Sequence, residues 1–115
     1  METKKEFMLL FRFEPTNDFV PTQSEMDEMQ QSWGAFIGNI AIQEKLVSTH
    51  QLGFEGAQIF ADKKSTNGIY LSNNQTVAGN MIVKANSINE ATEMAKNCPI
   101  LNMGGNVEVR SITPM

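Results

Sequence analysis

Four side chains in this chain have the types from which a binding pocket could be built: Arg12, His50, Trp33 and Tyr70. His50 is the single histidine, and imidazole is the side chain whose ordinary pKa puts its charge change near neutral pH. A lone histidine reads first as a hydrogen-bonded structural group and second as a base or ligand contact. Arg12 stands among apolar neighbours, so on a covered face its guanidinium needs an anion. That anion is an acidic residue across a subunit interface or a bound ligand, and a structural ion pair is the simpler reading. Trp33 and Tyr70 each combine an apolar body with a polar tip. Either could line a pocket, although Trp33 equally suits core packing. Cys98 falls at the C-terminal end of a predicted helix, where the dipole disfavours a thiolate; it reads as a small buried hydrophobe. Arg110 has Glu108 as its same-face strand neighbour, which predicts a surface or cross-strand pair. No Cys/His cluster has metal-ligand spacing, no nucleophile stands beside a base, and no cofactor is implied.

Composition bounds the partners. Nine basic and thirteen acidic residues give a formal net charge of -4, which argues against nucleic acid because phosphate recognition needs a basic footprint. Anionic membranes are disfavoured for the same reason. One cysteine cannot form an internal disulfide. The opening Met1 to Pro15 places charge before apolar residues, but the run Phe7 to Leu10 is too short for a signal-peptide core and Arg12 interrupts it. No apolar segment approaches the roughly 18 residues of a membrane span. A cytoplasmic protein with one domain, residues 1–115, is expected.

The elements that must position these side chains follow from periodicity. Phe7, Leu9, Phe11 and Phe13 alternate with Met8, Leu10 and Arg12, so the first strand is apolar on both faces and predicts double coverage. Pro15 to Pro21 reads as a loop. Thr22 and Glu25 have capping-box spacing, and a helix follows to about Lys45 with Met26, Met29, Trp33, Phe36, Ile37 and Ile40 inward. Gly34 and Gly38, one turn apart, predict close packing of this helix on the sheet or room for a ligand or partner helix. Leu46 to Leu52 reads as a strand, with His50 on the face of Leu46, Ser48 and Leu52. After a turn at Gly53 to Gly56, Ala57 to Ala61 and Gly68 to Ser72 read as short strands around the polar loop Asp62 to Asn67. Asn73 to Thr76 turns the chain. Val77 to Ala85 is a strand with Val77, Met81 and Val83 on one face and Ala78 and Ile82 on the other. Ser87 and Glu90 open a second helix with Ile88, Ala91, Met94, Ala95 and Cys98 on one side. Pro99 stops it, Gly104 and Gly105 turn the chain, and Asn106 to Ile112 is an edge-type strand with Val107 and Val109 inward.

This order, β-α-β-(ββ)-β-α-β, is an α+β, ferredoxin-like plan with an inserted β-hairpin. Helices cover one sheet face. The apolar second face predicts sheet-to-sheet packing between two copies, a dimeric α+β barrel, because such a face left exposed is an aggregation liability. The eight methionines suit an adaptable core and interface.

The chain resembles the YCII-related, or DGPF-domain, proteins. Phe7 to Leu10 matches their opening, Gly79 a glycine of their central strand, and Glu90, Ala91, Ala95, Cys98 and Pro99 their second helix and its end. Gly104, Gly105 and Val107 to Arg110 match their finish. The likeness implies the fold and the homodimer. Against the family's Asp-Gly-Pro-Phe stands Asn67-Gly68-Ile69-Tyr70, and its following Glu, Lys and Glu fall on Ser72, Asn74 and Gln75. Each ionisable group of that hairpin is replaced by a neutral one. Some members of the wider superfamily are thought to use a His-Asp pair, and an amide cannot replace that carboxylate as a base. The first expectation is therefore a small dimeric protein that binds a small molecule in a cleft between sheet and loops without catalysis. The second is a cofactor-independent enzyme acting on a small substrate, aromatic ones included, through His50 and Arg12, an analogy of fold alone. The third is a structural or interaction protein.

Overall fold

The computed structural model describes residues 5–14, 22–53 and 55–113. The expected loop from Pro15 to Pro21, and Phe54 within the expected turn, lie outside them. The described elements are β1 (Lys5–Phe13), α1 (Gln23–Ile42), β2 (Leu46–Gln51), β3 (Ala57–Ile59), β4 (Ser65–Asn67), β5 (Thr76–Ala85), α2 (Ile88–Ala95), a 3₁₀ helix (Pro99–Met103) and β6 (Asn106–Ser111). They form an α+β fold with a four-stranded antiparallel sheet, β2-β5-β1-β6, and a separate β3-β4 hairpin.

One face of the sheet carries the core. Phe7, Leu9 and Phe11 of β1 sit beside Met81, Val83 and Ala85 of β5. Phe36 and Ile40 of α1, Ala91 and Ala95 of α2, and Cys98 and Ile100 close over them. Leu9, Met81 and Val83 are fully buried, and each such side chain removes apolar surface worth about 1.5–3 kcal/mol. Val107 and Val109 pack against the same cluster as expected. Ile88, placed with them in the sequence reading, is instead half exposed at the start of α2.

Helix α1 begins at the predicted capping box, with Thr22 accepting from the Glu25 amide and Glu25 answering to the Thr22 backbone. It ends at Ile42, not Lys45. Glu44 takes a left-handed φ of 60°, its N–H donates to Ala41, and the Lys45 N–H reaches back to Ile40. This is a Schellman stop, which favours glycine at the position Glu44 holds. Neither Gly34 nor Gly38 packs closely: a Cβ added at either meets nothing within 4 Å. The close-packing reading of that pair is corrected, because both lie away from the tight contact made by Phe36 and Ile40.

The inserted segment also departs from expectation. The second strand of the hairpin is Ser65–Asn67, inside the stretch read as polar loop, and Gly68 to Ser72 is not a strand. The turn comes earlier, at Phe60 to Lys64. There Lys63 adopts φ 69° and the Asp62 carboxylate accepts from the Lys64 amide, so polar residues end the strand through specific turn bonds. Asn73 and Asn74, both at positive φ, make a tight two-residue reversal between Ser72 and Gln75. That geometry favours asparagine. Helix α2 ends at Ala95, before Pro99 and not at it, so Cys98 lies outside the helix; Pro99 opens a 3₁₀ helix that Gly104 ends with φ 82°.

The chain is flat. Its principal extents are 48 × 45 × 20 Å and its Cα radius of gyration is 15.9 Å, against about 13 Å for a compact chain of this length.

Candidate functional site: the open face of the sheet

Two bulges decide which side chains share the sheet face opposite the helices. In β2 the register shifts between Leu46 and Ser48. Leu46 stands opposite buried Val83 on the core side, whereas Ser48 pairs with Ile82 and His50 with Asn80 on the open side. Simple alternation put Leu46 and His50 on one face; the extra residue, Val47, breaks that alternation. In β1–β5 the register shifts again beside Arg12, which stands opposite Val77. This carries Val77 away from the face of Met81 and Val83, where alternation had placed it.

The open face therefore has a definite order. Met8, Leu10 and Ile82, all half-buried, lie at its centre. One row across the sheet runs His50, Asn80, Leu10, Glu108, and the next runs Ser48, Ile82, Met8, Arg110. At the β1–β6 end, Arg12 Nη1 donates to Glu108 Oε1 at 2.7 Å. Arg110 Nη1 reaches the other oxygen, Oε2, at 3.4 Å. The hydrogen bond from Arg12, followed by the charges of both arginines, holds the Glu108 carboxyl below its ordinary range. Two guanidinium groups on one carboxylate leave one positive charge in excess. At the other end, His50 Nδ1 lies 3.2 Å from Asn80 Oδ1, a contact in which the ring nitrogen donates.

Of the four side chains singled out from the sequence, two share this face. Arg12 and His50 are two strands and two residues apart. That spacing corresponds to roughly 12 Å between Cα atoms from strand geometry, so they flank the apolar centre without touching. Trp33 is on the opposite side of the sheet. It packs edge-on against Phe11 at 5.3 Å and Phe36 at 6.0 Å between ring centroids, which makes it part of the core wall. Tyr70 is 68% exposed and follows the β3–β4 hairpin. Arg12 finds its anion within the same chain, not across an interface. Its partner Glu108 was legible only as a neighbour of Arg110, because strand register alone brings residues 12 and 108 together. Asn80 carried no sequence signal for its place beside His50.

Gly79 lets β2 lie where it does. A Cβ on Gly79 would come within 2.6 Å of the His50 carbonyl oxygen, so only glycine permits this approach. Cys98 is buried as expected. Burial raises its thiol pKa from the ordinary 9.0 to about 11, only partly offset by a backbone hydrogen bond at Ile100.

Among the described residues, no group of three or more His, Cys, Asp or Glu is placed to hold a metal ion, and no helix is long and apolar enough to cross a membrane. A shallow groove between α1 and α2 is lined by Phe36, Asn39, Gln43, Glu90 and Met94. Its Glu90 is tied to Lys45 at 3.0 Å.

Compared with known proteins, the chain matches no family model and no curated sequence.

Proposed function

We propose that this chain is a small homodimeric binding protein of ferredoxin-like plan. Two copies meet through the open faces of their sheets, as in a dimeric α+β barrel, and hold a small, apolar-bodied anion between them without catalysis. The observation that carries this reading is the open face itself: an apolar centre of Met8, Leu10 and Ile82 flanked by the Arg12–Glu108–Arg110 cluster and by His50–Asn80. The excess positive charge suits a carboxylate, and the apolar centre suits a flat hydrocarbon body. Binding is favoured over catalysis because the partner of His50 is an amide, which cannot take up a proton as a carboxylate does. The strand order β2-β5-β1-β6 supports the ferredoxin-like plan. Kinship with the YCII-related proteins is proposed on the pattern from Gly79 to Arg110, whose residues serve backbone approach, helix packing and turns in this fold.

The test is calorimetric titration of the purified protein with benzoate, a probe of that chemistry. Binding that weakens at least tenfold in Arg12→Met supports the reading. Binding that is absent, or that ignores the substitution, removes the anion site.

A further inference from the structure

The His50–Asn80 end of the open face is as specific in hydrogen bonding as the arginine end is in charge. His50 Nδ1 lies 3.2 Å from Asn80 Oδ1. An amide oxygen only accepts, so the proton of this contact sits on Nδ1. The bond made by one ring nitrogen fixes the role of the other, and in the neutral ring Nε2 is left as an acceptor. The Asn80 oxygen is engaged, and its Nδ2 group keeps its capacity to donate. One acceptor and one donor therefore stand side by side. A hydroxyl group answers both, donating to Nε2 and accepting from Nδ2. A second carboxylate would meet the lone pair of Nε2, and a hydrocarbon end would leave both groups without partners.

We infer that the ligand is an aromatic carboxylate with a hydroxyl para to the acid group, and that His50 selects the hydroxyl. The inference rests on the anion site proposed above and names its ligand class. The row His50, Asn80, Leu10, Glu108 crosses the sheet in a line. Both arginines converge on Glu108 at one end of that row, where Arg110 has the looser hold at 3.4 Å and is 67% exposed. A ligand carboxylate set just inboard of Glu108 gives two guanidinium groups two carboxylates to balance. His50 stands three strand spacings away, roughly 14 Å between Cα atoms, and strand side chains rise roughly perpendicular to the sheet. One benzene ring with polar groups at opposite ends, and a hydrogen bond of about 2.8 Å at each, fits within that span. A meta hydroxyl would point off the line. The ring lies over Leu10, beside Met8 and Ile82 of the neighbouring row, and a methionine thioether makes favourable contacts with aromatic rings. A rigid ring also loses less freedom on binding than an alkyl chain of equal length.

Calorimetric titration of the wild type and of His50→Leu with 4-hydroxybenzoate, 3-hydroxybenzoate and benzoate tests this. The wild type is expected to bind the para compound about fivefold tighter than either of the others, the scale of one hydrogen bond. In His50→Leu that ratio should fall to near one. A wild type that binds all three equally, or prefers the meta compound, overturns the hydroxyl assignment and leaves the anion site standing. So does a preference that persists in His50→Leu. No binding of any of the three overturns this inference and the proposed function together. A second measurement needs no variant, because His50 is the single histidine. Its Nε2 signal in nitrogen-15 NMR should shift on binding 4-hydroxybenzoate and not on binding benzoate; an equal response to both overturns the role of His50.

Discussion

At the residue scale, the Arg12–Glu108–Arg110 cluster is held by register rather than by depth. The side chains of Arg12 and Glu108 are 32% and 38% exposed, so solvent screens the pair and it adds little to stability. Arg12→Met is expected to shift the urea unfolding midpoint only slightly. Its larger effect is on titration. Glu108 has a depressed folded-state pKa, so its contribution is present above the unfolded carboxyl value and is lost as pH falls through the folded one. With the Arg12 hydrogen bond gone, the Glu108 midpoint followed by NMR should move upward; an unmoved midpoint would sink the assigned pair. Cys98 works in the opposite direction. Its thiol pKa rises from 9.0 to about 11, so above pH 9 the unfolded chain releases a proton that the folded chain keeps. Stability should fall by on the order of 2 kcal/mol between those values, and the slope should flatten in Cys98→Ala. At pH 8 the native thiol should resist a disulfide reagent that labels it at once in urea.

At the element scale, the glycines separate into two kinds. Gly79 sits in β5 with the His50 carbonyl against it, so Gly79→Ala forces β2 away and is expected to cost more than about 2 kcal/mol. Gly34 and Gly38 lie in α1 with open space around them. There Gly→Ala should stabilise by about 0.5–1 kcal/mol each through helix propensity and unfolded-state entropy. Chemical denaturation of the three single variants checks both signs, and a destabilising Gly34→Ala would restore a packing role for that position. The capping box at Thr22, the one-way Ser87 cap and the alternation of β1 were legible because they depend on residues three or two apart. The β3–β4 hairpin was misread because the end of β3 depends on a left-handed Lys63 and an Asp62 turn bond, neither of which composition reveals.

At the scale of the whole molecule, the flat shape and the apolar centre of the open face are what the proposed dimer would cover. Light scattering at micromolar concentration should return twice the 12.8 kDa chain mass. Leu10→Lys, which puts a charge at the centre of the open face opposite Asn80, should give a monomer with an unchanged far-ultraviolet spectrum. A dimer that tolerates this lysine would mean that the copies meet through another surface. The dimer measurement also separates the paired-sheet reading from one in which a single chain covers its own face.

The amino-acid order by itself determined the α+β class, both helix starts, the inward row Phe7, Leu9, Phe11 and the burial of Cys98, because periodicity and capping are local physics. Tertiary structure alone decided which face His50 occupies and what neutralises Arg12. The first depends on the extra residue at Val47, which reverses the alternation within β2. The second depends on antiparallel register between β1 and β6, which sets Arg12 beside Glu108 across most of the chain's length. Register is a property of paired strands, and no single strand's sequence contains it.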